Sequence, residues 1–338
     1  MPVKTRRNRL RNKRRTLKRI KGGNANLPAT PVITTPVVGG ASGASGASGT
    51  PKKFKKLVCS PTVNASDVVS NESCLTKSLL MELRDEYNKD HPSNQIADNK
   101  PIIIWHELKT RMSQCDDDRC LLSEIDDATK RKQWMQRLFA PEHPPDWLKD
   151  KKEWLSNHDI DSVMPQYEEK YKNFKYLGTT SIDYDYKYSD GECIEDRLCL
   201  FDLEKEIQAG KRRFASVFNL DKHTKGGSHW VTLYFDTEFT TIVFFDSARG
   251  RVPKQIRKFI KRVMRQGLKM KPKIVFDFKT AKSSHQRGDA ECGVYAIYFI
   301  TEMLKDHRNL ARFINGKILD RDMNAERFNI FNSPLKAP

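Results

Sequence analysis

A cysteine acts as a nucleophile when it is held as a thiolate beside an imidazole that takes its proton. A carboxylate or amide must orient that ring, and N–H donors must wait for the oxyanion. The 338-residue sequence contains such a set. Cys292 stands in QRGDAECGVYAIYFI, after a polar, Gly-containing loop and at the start of an apolar helix, and a helix N-terminus favours the thiolate. Gly293 leaves room for a substrate backbone to approach. His229 opens an apolar strand in GGSHW, and Asp246 ends the next one in FFDS. If those strands pair through their short turn, His229 and Asp246 meet at one end of a sheet. Taken singly the residues also fit plainer roles, since most free cysteines are small core residues and polar residues belong at strand ends.

The elements that must position these residues are legible in the same stretch. RFASVFNLD (213–221), HWVTLYFD (229–236) and TTIVFFD (240–246) are rich in β-branched and aromatic residues, and Asp236-Thr237-Glu238 closes a hairpin between the last two. A helix follows over 251–266, with Pro253 in its first turn and Ile256, Phe259, Ile260, Val263 and Met264 as its buried stripe. Residues 272–280 read as a strand and Cys292–Leu304 as a buried helix. The order predicts an α+β fold, a central mixed sheet packed by helices, over residues 201–338. Residues 60–200 read as a mostly helical N-terminal region. Leu75, Leu79, Leu80, Leu83 and Tyr87 form one stripe, further helices are expected over 105–113, 119–126 and 129–138, and a capped helix over 156–171 should stop or bend at Pro165. Residues 1–56 combine like charge, a Pro/Thr/Val stretch and the repeat GASGASGASG, the composition of a disordered basic tail and linker.

Charge is uneven. Of the net +18, fifteen cations lie in residues 1–56, which hold no acid, so residues 57–338 carry only +3. Eleven of those cations fall in residues 4–21, a density that binds nucleic acid by counterion release without reading bases. Residues 249–273 carry 11 Lys or Arg and no acid, which makes either a solvated helix face or a second polyanion patch. No run approaches the roughly 20 apolar residues that span a bilayer, so no membrane partner is expected. Seven scattered cysteines without a secretory signal predict reduced thiols in an intracellular or virion-interior protein. Cys115/Cys120 and Cys193/Cys199 lack zinc-site spacing, and neither metal nor cofactor is expected. His223 and His285 read as solvated, His158 as a capping or surface residue, and Asp289 and Glu291 should point away from the thiol.

Four spaced motifs, GSHW at 227–230, FDS at 245–247, Gln286 and ECGV at 291–294, resemble the cysteine peptidases that include the SUMO-specific proteases and the adenovirus maturation protease. The resemblance covers residues 213–304 and implies a papain-like/adenain-like core. It makes Cys292 the nucleophile, His229 the general base and then acid, and Asp246 the group that orients the ring. Gln286 and the Cys292 backbone N–H would form the oxyanion hole, and Trp230 would wall the substrate cleft. SNHDID (156–161), FKYLGTTSIDYD (174–185), VFNLDKHTKGGSHW (217–230) and SCLTKSLL look like the polyprotein-processing peptidases of large nucleocytoplasmic DNA viruses. Asp246 departs from the Asn of some viral relatives. That likeness implies structural precursors cut at Gly-Gly sites during maturation, in the host cytoplasm and virion, with the nucleus open to a basic tail. The chain's own Gly22-Gly23 and Gly39-Gly40 match such sites. Two rival expectations stand beside it: a deconjugase for ubiquitin-like modifiers, which also end in Gly-Gly, and an inactive nucleic-acid-binding structural protein.

Overall fold

The computed structural model describes residues 53–335, so the run 4–21, the pairs Gly22-Gly23 and Gly39-Gly40, and the GAS repeat lie outside the described residues. Helices α1 (Lys77–Asp90), α2 (Pro101–Arg111), the single-turn α3 (Asp118–Leu121) and α4 (Ala128–Leu138) come first. Thr76, Asp117 and Asp127 accept from the first-turn N–H groups of α1, α3 and α4, and Pro101 opens α2. The expected stripe Leu75, Leu79, Leu80, Leu83 and Tyr87 packs with Ile104, Trp105, Leu108, Leu121 and Leu138 in one apolar cluster. Residues 53–56, assigned above to the tail, join it: Phe54 packs against the cluster and the Lys55 N–H donates to the Asp116 carbonyl at 2.8 Å.

The chain then enters α5 (Asn157–Lys170), β1 (Phe174–Ser181), the short α6 (Asp196–Cys199) and α7 (Leu203–Gln208), and β2 (Arg213–Asn219). It continues through β3 (Trp230–Asp236), β4 (Thr241–Phe245), α8 (Lys254–Lys269), β5 (Asp277–Thr280), α9 (Cys292–Lys305), α10 (Leu310–Asn315) and α11 (Asp320–Ile330). The strands lie in the order β1-β2-β3-β4-β5. The two outer pairs are parallel and the two inner pairs antiparallel, so the sheet is mixed and the fold is α+β as expected. Alternate residues serve opposite faces. Val217, Tyr234, Val243 and Phe245 pack on α5 and α9, while Phe218, Phe235, Ile242 and Phe244 pack on α8 through Ile256, Phe259 and Val263.

Three expectations need correction. First, no boundary falls at residue 200, because β1 lies before it and pairs with β2 beyond it, and the described residues 53–335 belong to one compact unit. Most of β1 is buried on both sides, which removes the alternation by which a strand is recognised. Second, α5 starts with the Ser156–Asp159 capping box but runs through Pro165. A proline there forfeits one helical hydrogen bond, and the burial of Ile160, Val163 and Met164 outweighs that loss. Third, six of the seven cysteines pair as Cys59–Cys74, Cys115–Cys120 and Cys193–Cys199, with Cα separations of 5.3, 5.4 and 6.4 Å. The partners are near in sequence, at separations of 15, 5 and 6, so local turns bring them together without a disulfide scaffold. Cys292 is the free one.

Gly267 tests the packing of α8 on the sheet. An added Cβ would lie 2.7 Å from the Ile274 carbonyl oxygen and 2.9 Å from the Phe276 ring. Helix propensity favours Ala by about 1 kcal/mol, whereas overpacking costs about 1–3 kcal/mol. Because the obstacle is backbone, Gly267→Ala should lower the urea midpoint; a raised midpoint would contradict this packing.

Candidate active site

His229 and Asp246 arrive together because β3 and β4 pair in a register that ends at Thr232 opposite Phe245. The residues just beyond that end are close, and His229 Nε2 donates to Asp246 Oδ1 at 2.7 Å. The loop before β3 is shaped by Gly227, whose φ of 97° lies in the left-handed region and whose Cβ would sit 2.7 Å from Asn219 Nδ2. Asn219 Oδ1 in turn accepts from the N–H groups of Ser228 and Asp221 at 3.1 and 3.0 Å. The Asp246 carboxylate is buried and has two further donors, Ala248 N–H to Oδ1 at 2.8 Å and Gly250 N–H to Oδ2 at 2.7 Å. A Cβ at Gly250 would lie 2.4 Å from that oxygen, so the position requires glycine.

Cys292 is the first residue of α9, is 2 % exposed, and lies near enough to His229 to act on its ring. Burial alone would depress the imidazole's pKa. The interactions with Asp246 and Cys292 and their negative charge outweigh it and raise the value to about 9. Burial likewise opposes the Asp246 charge, but the His229 bond and charge and the two backbone donors hold its carboxyl below the usual range. At neutral pH the ring is therefore an imidazolium held by a carboxylate on one side, with the sulfur of Cys292 nearby.

Gln286 lies on the loop between β5 and α9, which is tied to the end of β4. The Ser247 carbonyl accepts from the N–H groups of His285 and Gln286 at 2.8 and 2.9 Å. Ser247 Oγ donates to Gln286 Oε1 at 2.6 Å and Gln286 Nε2 donates to the Gly288 carbonyl at 3.0 Å, which fixes the amide's orientation. An amide nitrogen carries two N–H bonds, so a second donor is left over.

Trp230 lines a cleft of about 550 Å³ together with Trp154, Leu155, Thr180, Asn219 and Gly227. Its indole N–H donates to the Leu155 carbonyl at 2.9 Å. Gly293, expected to open space for substrate, does not face that cleft: its Cβ would meet the Leu155 side chain at 3.0–3.4 Å, so the residue is small to let Leu155 pack on α9. His285, expected to be solvated, is buried, with Nε2 donating to the Phe313 carbonyl and Nδ1 accepting from Ile318 N–H. His223 pairs with Asp183 at 2.9 Å and His158 is exposed. Asp289 is exposed, and Glu291 is buried with its Oε1 accepting from Asn324 on α11. Ser247, Gly250 and Leu155 support the site without having been singled out in the sequence. Ser247 and Gly250 had a signal, since both lie in the DSARG turn that ends β4.

The profile of a protein family described as Vaccinia virus I7 processing peptidase matches residues 52–277, a span that holds His229 and Asp246 and ends before Gln286 and Cys292. The SUMO-1 cysteine protease of African swine fever virus is 25% identical over 286 residues, which cover 82% of this chain and 98% of that one. A protein of Acanthamoeba polyphaga mimivirus named as a thiol protease is 33% identical over 155 residues, 45% of this chain and about half of the relative's own length (48%). The crystal structure of the African swine fever virus protease has the same fold, with a TM-score of 0.57 at 21% identity over 83% of this chain and 98% of that one. Fold, site and relatives together define a cysteine peptidase of the type found in large DNA viruses. The chain belongs to the family of the Vaccinia virus I7 processing peptidase.

The raised imidazole value carries a testable sign. Because His229 titrates higher folded (about 9) than unfolded (about 6.5), its contribution to stability is complete below about pH 6.5 and is lost as pH climbs to about 9. Cys292→Ala removes one of the two groups that raise it. NMR titration of His229 should give a midpoint near 9 in the native chain and a clearly lower one in Cys292→Ala; equal midpoints would mean that the sulfur does not reach the ring.

Proposed function

We propose that this peptidase cleaves viral structural polyprotein precursors at Gly-Gly-containing sites during virion maturation, in the host cytoplasm and the virion, with Cys292 as nucleophile. The observation that carries the reading is a single imidazole bonded to Asp246 at the end of one sheet and raised in pKa by both Asp246 and Cys292. The sulfur attacks the scissile carbonyl carbon, and His229 gives its proton to the leaving amine as the C–N bond breaks. The resulting thioester is hydrolysed by a water whose proton His229 takes, after which the thiolate leaves. Asp246 holds the ring and stabilises its charged form. The free N–H of Gln286 and the backbone N–H of Cys292 receive the oxyanion. Trp230, fixed by its bond to Leu155, walls the cleft that would receive the substrate's small residues.

A deconjugase reading is favoured by one specific observation, the name SUMO-1 cysteine protease borne by the African swine fever virus relative. The two readings share the site and differ in substrate. On a Gly-Gly-Ala peptide, Cys292→Ala should abolish cleavage, Asp246→Asn should lose less, and Gln286→Ala should lose on the order of 10²–10³ in rate. A native chain that cuts a SUMO-type precursor and leaves the peptide intact would favour deconjugation. Full activity in Cys292→Ala would end both readings.

We also infer a nucleic-acid contact on α8, whose Lys254, Arg257, Lys258, Lys261, Arg265 and Lys269 face solvent while its apolar stripe is buried. Lys258 has an acidic partner, Asp185, at 2.8 Å. The outward charge complements a phosphate backbone. In the full chain, charge reversal at Lys254, Lys261 and Arg265 should weaken duplex DNA binding and flatten the slope of log K against log salt by about 3. An unchanged slope would assign all binding to other residues.

A further inference from the structure

The loop that carries Gln286 and leads to Cys292 is held from one side by α11, which lies beyond the family match. Asp320 Oδ2 accepts from the N–H groups of Arg287 and Gly288 at 3.0 and 2.9 Å, and its Oδ1 accepts from Tyr295 OH at 3.0 Å. Asn324 Nδ2 donates to Glu291 Oε1 at 3.1 Å. Arg327 Nη2 donates to the Ala290 carbonyl at 2.5 Å. The spacing 320, 324, 327 places all three on one helical face, so a polar stripe faces inward where an apolar one would be ordinary.

Arg327 is the unusual member. It is completely buried, and its other visible contacts are the Glu153 carbonyl at 2.8 Å and the Trp147 ring, whose centroid lies 4.8 Å from the guanidinium carbon. Its Nε has no partner, and neither has Glu291 Oε2. A buried cation needs opposite charge nearby. The charges that act on it are Glu291 and Cys292, with Asp150 and Glu153 from the segment before α5. Cys292 thus has three charged neighbours: the His229 imidazolium backed by Asp246, the Glu291 carboxylate adjacent in the chain, and the Arg327 guanidinium from α11.

We propose that Arg327 is a positioning residue for cleavage: it pins the Ala290 carbonyl two residues before the nucleophile, and its buried charge favours the Cys292 thiolate against the carboxylate of Glu291. This rests on Cys292 being the nucleophile, and it goes beyond the triad and oxyanion donors.

The test follows iodoacetamide alkylation of Cys292 against pH in the full chain, quantified by mass spectrometry of the Cys292 peptide. Arg327→Gln should slow alkylation at pH 6 by about tenfold or more, while leaving the rate at pH 9, where the thiol ionises unaided, within about twofold. Arg327→Lys, which keeps the charge, should recover most of the pH 6 rate. Peptide cleavage by Arg327→Gln should lose kcat at pH 6 with KM little changed. A folded Arg327→Gln chain with the native alkylation profile would overturn the proposal. If that variant does not fold, Glu291→Gln decides: alkylation at pH 6 should become faster, and an unchanged or slower rate would overturn it. A native chain whose Cys292 reacts no faster than a free thiol at pH 6 would defeat the nucleophile reading itself, and this inference with it.

Discussion

A buried carboxylate has to be given donors, and the Asp246 carboxylate sets the local structure around it. Its 5 % exposure leaves little solvent to satisfy it, so the chain supplies His229 and two backbone N–H groups instead. Those two N–H groups come from a turn that must close directly after β4. That closure accounts for Arg249 at φ 62° and for Gly250, which has no space for a Cβ. With the turn closed, Ser247 is left facing the β5–α9 loop, where its carbonyl and hydroxyl hold His285 and Gln286. One carboxylate's requirements therefore fix both the imidazole and the amide.

The sulfur reaches that pair from the opposite direction, on a helix that is apolar all round because it is covered on all sides. Twelve of the fourteen residues of α9 are buried, against the sheet through Tyr234 and Phe245 and against α5 and α11 elsewhere. A helix so enclosed cannot rotate or slide without opening cavities. Its first residue is accordingly held where the His229 ring can meet it. Asp246 and Cys292 are buried, so the hydrogen bonds and charges there act with less screening than at a surface. That is why an ordinary imidazole is shifted to about 9 against a burial effect that works in the other direction.

What was legible in the sequence is what depends on local pattern. The β2, β3 and β4 runs, the α8 stripe and the apolar helix after Cys292 all appear where side-chain periodicity placed them, and the order of His229, Asp246, Gln286 and Cys292 followed from recognisable short motifs. What was not legible depends on what covers an element. β1 lost its alternation because neighbours bury both faces, and Pro165 was carried through α5 by burial elsewhere on the helix. Gly293 was assigned to substrate although the space it frees is filled by Leu155. Cysteine pairing needs Cα atoms within about 7 Å, which spacing along the chain does not reveal. The stripe Asp320, Asn324 and Arg327 has the composition of a solvated helix face and is turned inward.

That inward stripe also explains how the helical N-terminal part bears on the site. α11 ends at Ile330, and Asn332, two residues further on, is almost fully buried. Asn332 Oδ1 accepts from Val58 N–H at 2.7 Å, and its Nδ2 donates to the carbonyls of Val58 and Ala140 at 2.8 and 3.0 Å. Its own N–H donates to the Pro141 carbonyl, and its carbonyl accepts from His143 N–H. Every polar group of this one residue is thus bound to backbone on either side of the α1–α4 cluster, across as many as 274 positions of sequence. The tether holds the far end of α11, α11 holds the loop at 287–291, and the loop holds Gln286 and the residue before Cys292. The N-terminal cluster therefore contributes no atom to the Cys292, His229 and Asp246 group, yet it is bonded to the element that keeps the 286–291 loop in place. A division of the chain at residue 200 would miss this link, because the elements on which the site depends come from both sides of it.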